Sequence, residues 1–583
     1  MRLFLFSVHF VVIIFISVFL LSVVGLIVFA MKGAGDIADL YIVSRNQISG
    51  CQNEDSRYRD PALPLESRVG DLLGRMTLEE KVGQMTLIEK NSLKDTSDIQ
   101  KYGIGGLLSG GGGYPSPNTP EAWWKMIDDF DSYSKKDCSG IPLLYGVDAV
   151  HGDGILPTAT IFPHSIALGA ANDSDLVKRV AAATAEEMAA TGVYWDFFPS
   201  LDVAKDVRWG RVYETFGSDT KRVTALGDAY VEGFQSVSFS GIRPMATAKH
   251  YIGSGAMEWG SSDNPSYKMD QGDAKIDEAA LRAEALPPFR SAIRKGVGSV
   301  MVGLNKWNGT KMNSNKYLIS DVLKGELDFQ GLVVSDWHGA SGLAFDECES
   351  WSVAINAGVD MIMVPSDYER FTTCIKNAVQ EGKISSSRID DAVSRILRAK
   401  FAMGLFDRTI ISFDASVIGC AAHREIAREA VRKSLVLLKN NDVLPLAKDA
   451  ERILVAGPAA DSLGRQAGGW TVEWQGTEGN SISGTTILSG IKSAVPDESK
   501  VWFNEKGEFS IYDTKADVGI VIVGEKPYAE GWGDSENPTL TEEDLALIGR
   551  MRNTSSRLVV VIISGRPLDI KKYAKDWDAV VAA

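Results

Sequence analysis

Eight short apolar runs along residues 65–410, separated by amphipathic helical stretches, limit the folds open to this chain more than any other feature. They cover 82–88, 105–109, 143–147, 194–199, 245–251, 299–304, 332–337 and 361–365. Strands alternating with helices build parallel sheets, because parallel neighbours need a long crossover and a helix supplies one. Between the runs, 175–190 places Leu176, Val177, Val180, Ala183 and Met188 near helical spacing, and 277–295 opens with acidic and closes with basic residues. Eight such units predict a (β/α)8 barrel over residues 65–406.

A helix over 387–402 closes this region and 407–421 reads as a linker. A second alternation fills 422–583: helix 423–438, strand 453–457, helix 485–494, strand 518–524, helix 542–551, strand 558–564 and a last strand at 579–583. It predicts an α/β fold, an open doubly wound sandwich domain following the barrel. The last strand runs into the chain end without a return helix. The domain is therefore expected to be truncated at its C-terminus, with apolar side chains near Val580 and Val581 uncovered.

At the other end, residues 3–31 carry no formal charge. As a helix at about 1.5 Å per residue they would reach about 43 Å, more than the ~30 Å hydrocarbon core of a bilayer. Residues 1–31 are expected to be a transmembrane signal anchor or a signal sequence, with 32–64 a polar tether. Ile48-Ser49-Gly50-Cys51 looks like a lipoprotein cleavage box but lies well past the apolar run. The chain is expected to be membrane-anchored or secreted, with its bulk outside the cytoplasm, periplasmic or extracellular.

Against 61 Lys and Arg stand 76 Asp and Glu, a formal charge of −15, which disfavours nucleic acid as a partner. Five cysteines lie without a CxxC pair among six scattered histidines, so neither a metal site nor a disulfide framework is indicated. The glycines of 103–113 lack the Gly-Lys-Ser/Thr ending of a phosphate loop and read as a flexible loop. No cofactor is expected.

In a parallel barrel the chemistry sits at the carboxyl ends of the strands. Strand three ends at Asp148. Asp206-Val-Arg-Trp-Gly-Arg211-Val-Tyr-Glu214 follows strand four, and strand five ends in Lys249-His250. Gly331-Leu-Val-Val-Ser-Asp336-Trp337 delivers a carboxylate and an indole from strand seven. Carboxylates among cations and aromatic faces suit a neutral polyhydroxylated ligand: charged groups bond its hydroxyls and the indole covers an apolar sugar face.

Taken together these residues resemble glycoside hydrolase family three, the β-glucosidases and glucan exohydrolases, and within it the plant-type β-glucan exohydrolases. The resemblance runs from Leu65 to Ala583. It rests on 331–337, 206–214, 246–251, Gly469-Trp-Thr-Val-Glu-Trp474-Gln-Gly and Gly524-Glu-Lys-Pro-Tyr-Ala-Glu530. It implies a retaining, exo-acting β-glucosidase that releases glucose from the non-reducing ends of β-glucans. By the same resemblance Asp336 is the nucleophile and Glu530 the acid/base, with Glu525, Asp534 and Glu536 as nearby rivals. Asp148, Arg211, Lys249 and His250 would hold hydroxyls of the terminal sugar, and Trp337 and Trp474 would clamp the next one. Retention calls for two carboxyls about 5–5.5 Å apart, and nearby Lys249 and Arg211 would keep Asp336 ionised. Many relatives have an aromatic where this chain has Leu304. The histidine stretch of the N-acetylglucosamine-removing branch is missing after Lys249-His250, which favours a glucosidase. The competing reading is a membrane-tethered β-glucan-binding protein with little turnover.

Overall fold

The computed structural model describes residues 56–136, 139–407, 413–447, 449–510 and 514–583. The expected membrane segment at 3–31, most of the tether, Cys51, Cys138 and part of the 407–421 linker lie outside the described residues. Among those described, no helix is long and apolar enough to cross a membrane.

Eight parallel strands form the barrel. They are β1 (Thr86–Glu89), β2 (Gly106–Ser109), β3 (Leu144–Val147), β4 (Trp195–Asp196), β5 (Met245–Tyr251), β6 (Ser299–Val302), β7 (Leu332–Ser335) and β8 (Ile362–Met363). Each pairs with its neighbour in sequence, β8 pairs with β1, and a bridge between Val334 and Met361 closes the ring. Strands such as β5 and β7 are buried along their whole length, so they appear as unbroken apolar runs instead of alternating ones.

All eight expected strands are present, with two local differences. The run at 82–88 begins as a helix, Leu78–Gln84, because Thr77 and Glu80 form a reciprocal capping box; the strand starts only at Thr86. The single helix expected over 277–295 is broken into Glu278–Ala280, a π-helical turn Leu281–Ala285 and the α-helix Leu286–Arg294. Pro287 and Pro288 have no N–H to continue the ladder. The end of the expected tether is also packed: Tyr58 is buried, and Arg68 donates to its carbonyl and to both carboxylate oxygens of Asp407. Cys348 and Cys374 form a disulfide between the helices Glu347–Ala357 and Tyr368–Gln380, a pairing that the spacing did not disclose.

The second sheet contains β9 (Val436–Asn440), β10 (Ile453–Ala456), β11 (Val501–Phe503), β12 (Ala516–Gly524), β13 (Ser555–Ile563) and β14 (Ala579–Ala582), in the spatial order β9-β14-β13-β12-β10-β11. All pairs are parallel except β9 with β14. The helix expected over 423–438 ends at Ser434, and Val436–Asn440 is a strand instead. Helical spacing does not separate an amphipathic helix from the apolar strand that directly follows it. The short strand β11 is likewise unanticipated. From β10 the chain crosses first to one side, to β11, and then back to the other, to β12. The neighbours β10 and β12 therefore mark the topological switch point, where loops leaving the carboxyl ends open a crevice.

Val580 was expected to be uncovered. It is instead fully buried, packed with Trp577, Leu547, Ile548 and Met551 beneath the helix Glu542–Thr554. Strand residues alternate in direction, so Val581 faces the other way. With Val561, Ile563, Val431 and Leu435 it lines a cavity of about 760 Å³.

Candidate active site

The barrel's half of the site comes from strand ends. Lys249 and His250, within β5, are only 2% and 3% exposed. A buried ammonium is costly unless paired, and Lys249 Nζ donates to Asp148 Oδ1 at 2.6 Å. Burial, the largest influence, works against the Lys249 charge, but Asp148 and Glu214 together outweigh it and the opposing Arg211, and the amine is raised above its ordinary pKa. His250 stands between two carboxylates, with Nδ1 2.7 Å from Asp202 Oδ2 and Nε2 3.9 Å from Asp336 Oδ2. Burial, reinforced by the Arg211 charge, holds it well below the usual histidine range, so the imidazole is neutral. With its N–H toward Asp202, Nε2 presents a lone pair to the cleft. Asp336 directly follows β7, and its Oδ1 accepts the Trp337 backbone N–H at 2.6 Å.

Arg211 forks onto Glu214, Nε to Oε1 at 3.0 Å and Nη2 to Oε2 at 2.8 Å. Its remaining arm, Nη1, lies 3.6 Å from Glu530 Oε1. Lys249 and Arg211 were expected to serve Asp336. Each instead satisfies another carboxylate at hydrogen-bond distance, and the nearest imidazole to Asp336 is His250.

The sheet domain's half comes from the loops after β10 and β12. In the first, Trp470 and Val472 have φ of 57° and 63°. The Val472 N–H donates to the Gly154 carbonyl at 2.7 Å, and His151 Nε2 meets Thr471 Oγ1 at 3.0 Å. Trp470 Nε1 donates to Glu214 Oε1 at 3.3 Å, and Lys249 Nζ lies 5.8 Å from the centre of the same indole. The Tyr114 hydroxyl donates to Glu473 Oε1 at 2.6 Å, drawing the loop against the glycines after β2. A Cβ on Gly111 would stand 2.5 Å from Trp474 Cβ, and one on Gly110 would stand 3.8 Å from the Trp337 ring. The stretch read as a flexible loop is thus the tight seam between these two tryptophans. Trp337 is 41% exposed at the cleft mouth, and Trp474 is half-buried.

Glu530 opens the turn Glu530–Gly533 in the loop after β12. Burial raises its carboxyl to about 8, with Asp270, Asp336 and Glu214 adding to the effect and Arg211 opposing it. A carboxyl raised that far is protonated at neutral pH and has a proton to give. Its rivals are otherwise engaged. Glu525 takes Arg566 and the Tyr528 hydroxyl, Asp534 is filled by backbone N–H groups, and Glu536 is exposed.

Four residues joined to the site were not singled out from the sequence. Asp202 and Glu214 lay within reach, the first just after strand four and the second inside the quoted 206–214 segment. Trp470 stood in the quoted 469–476 segment. Asp270 carried no signal. It is buried in a barrel loop, accepts the Trp209 indole N–H at 2.9 Å, and leaves its Oδ2 without a partner. Among the described residues no cluster of His, Cys, Asp and Glu could hold a metal ion.

Residues 77–399 match the glycosyl hydrolase family 3 N-terminal domain and 435–583 its C-terminal domain. The chain belongs to glycosyl hydrolase family 3. This family 3 chain is 32% identical over 562 residues to a periplasmic beta-glucosidase of Salmonella typhimurium, spanning 88% of itself and 69% of that protein. To a lysosomal beta glucosidase of Dictyostelium discoideum it is 31% identical over 550 residues, spanning 86% of itself and 66% of that protein. It thus spans about two thirds of the length of these relatives. Among solved structures, a mutant of an exo-1,3/1,4-beta-glucanase from a Pseudoalteromonas species superposes with a TM-score of 0.82 at 40% identity, covering 90% of this chain and 86% of that one. A beta-glucosidase from Listeria innocua in complex with glucose superposes with a TM-score of 0.76 at 28% identity, covering 89% and 72%.

Proposed function

We propose that this chain is a retaining, exo-acting β-glucosidase of the β-glucan exohydrolase type. Asp336 attacks the anomeric carbon, and Glu530 protonates the departing oxygen and then serves as base toward water. The observation that carries the reading is one cleft with two carboxyls in unlike surroundings: Asp336 at a strand end beside a neutral imidazole, Glu530 raised to about 8 over Arg211. Such a difference lets one group act as nucleophile while the other holds a proton. Once Asp336 is esterified its charge is gone. That removes one of the influences raising Glu530, so Glu530 gives up its proton more readily and can act as base.

In this reading Asp148, Lys249, Arg211 and His250 bind hydroxyls of the terminal glucose, and Trp337 and Trp474 cover the next sugar. The names of the relatives support glucose release from β-linked substrates. The periplasmic and lysosomal relatives support a site outside the cytoplasm, reached through the apolar segment 3–31 acting as anchor or signal. A tethered binding protein with little turnover is the weaker reading, because such a role requires no carboxyl kept protonated opposite another. Incubation with an aryl β-glucoside and with laminari- and cello-oligosaccharides, following products by NMR, tests the proposal. β-Glucose as first product supports it, and α-glucose or no release overturns it.

A further inference from the structure

Glu530 is held in an unfavourable backbone conformation. Its φ is 53°, the left-handed region, which is unfavourable for a residue that bears a side chain. Such a conformation persists only where the surroundings over-determine it. Four residues on, Asp534 provides that determination. Its Oδ1 accepts the Gly210 N–H at 2.9 Å, and its Oδ2 accepts those of Lys268, Met269 and Asp270 at 3.0, 2.7 and 2.9 Å. One carboxylate of the sheet domain thus gathers four backbone donors from two barrel loops. Those loops also carry Arg211 and Asp270, the groups whose charges act on Glu530.

Arg566 makes the complementary contact. It is 3% exposed, and its Nη1 donates to the carbonyls of Val207, Arg208 and Trp209 at 3.3, 3.1 and 3.4 Å. Its Nη2 donates to the Gly533 carbonyl, and its Nε pairs with Glu525 Oε1 at 3.1 Å. Glycines permit the approach. A Cβ on Gly210 would fall 2.0 Å from the Glu530 carbonyl oxygen, and one on Gly531 would fall 2.3 Å from the Tyr267 ring.

We propose that Asp534, backed by Arg566, is the positioning residue that sets Glu530 against the barrel and aligns it with the leaving-group oxygen. The inference rests on the reading of Glu530 as acid/base. Asp534 itself touches no substrate; it acts by fixing where Glu530 points. A displacement of about 1 Å can cost on the order of 10²-fold in rate, and here the loss falls on proton delivery alone. Substrates that need a proton, such as laminaribiose, must therefore suffer more than 2,4-dinitrophenyl β-glucoside, whose leaving group departs without one.

The test compares Asp534→Ala, Asp534→Asn and Glu530→Ala on both substrates, with and without azide, beside thermal melting. Asp534→Ala is expected to lose about 10²-fold in kcat/KM on laminaribiose and much less on the dinitrophenyl glucoside. Asp534→Asn, which keeps one acceptor oxygen, should fall between it and the wild type. A merely structural role would lower both substrates together through the folded fraction. Equal losses for Asp534→Ala, beside a leaving-group split and azide rescue for Glu530→Ala, overturn the inference and leave the function standing. No split for Glu530→Ala overturns the reading of Glu530 and the inference with it.

Discussion

The two halves of the cleft are built by different means. On the barrel side, Asp148, Lys249, His250 and Asp336 lie in or directly after parallel strands, and none has positive φ. On the sheet-domain side, Trp470, Val472 and Glu530 all sit in the left-handed region, on loops leaving adjacent strands. Side chains at strand ends inherit their position from the ladder beneath them. Side chains on strained loops depend on tertiary ties such as Asp534, Arg566, the Tyr114–Glu473 bond and the glycine seam at Gly110 and Gly111. On the proposed reading, the barrel would supply the sugar pocket and the second domain the group that holds and passes a proton.

Breaking the barrel half should have the largest effect. Asp336→Asn is expected to lower turnover on the order of 10⁴–10⁶-fold, as loss of a nucleophile does elsewhere, while glucose binding by calorimetry survives on Asp148, Arg211 and Lys249. Hydrolysis close to the wild-type rate would remove Asp336 from its role. Breaking the other half should cost less and show selectivity. Glu530→Ala should lose about 10²–10⁴-fold on disaccharides, less on activated aryl glucosides, and azide should restore part of the rate as β-glucosyl azide.

A smaller effect is expected at the mouth, where the halves meet across the glycine seam. Trp337→Ala should raise KM for laminaritriose about two- to tenfold with little change for an aryl glucoside. A larger fall in kcat than rise in KM would place the indole at the reacting sugar instead. The smallest effect is a shift in pH dependence. Because Glu530 must be protonated to act, kcat/KM should decline as pH rises through about 8. Asp270 pushes that value up, so Asp270→Asn should move the alkaline limb to lower pH. A limb that stays put or moves upward would mean that Asp270 does not act on the acid. The folded-state value lies above the ordinary 4.5, so this group's contribution to stability is complete below about 4.5 and is lost as pH rises toward 8.

The barrel was legible because its information is local. An apolar run buried on both faces followed by a charged residue marks a strand end, so the amino-acid sequence alone assigns Asp148, Lys249, His250 and Asp336 to one rim. The sheet domain was legible only in outline. Its strands β12 and β13 stood out, while Val436–Asn440 was absorbed into the preceding helix and Val501–Phe503 is too short for periodicity to register. The resemblance to the family singled out Glu530 from a loop where Glu525, Asp534 and Glu536 were equally acidic.

By itself, the amino-acid sequence determined the order of the elements, the eight strands of the barrel and the polar residues at their ends, since these follow from periodicity along the chain. Tertiary structure alone decided which cation meets which carboxylate, so that Lys249 serves Asp148 and Arg211 serves Glu214, while Asp336 has the neutral His250. It decided that Val580 is covered and that Cys348 meets Cys374. It also raised Glu530 and fastened it through Asp534. The physical reason is that periodicity specifies which face of an element turns inward, whereas charge state and alignment depend on the groups that arrive from distant parts of the chain.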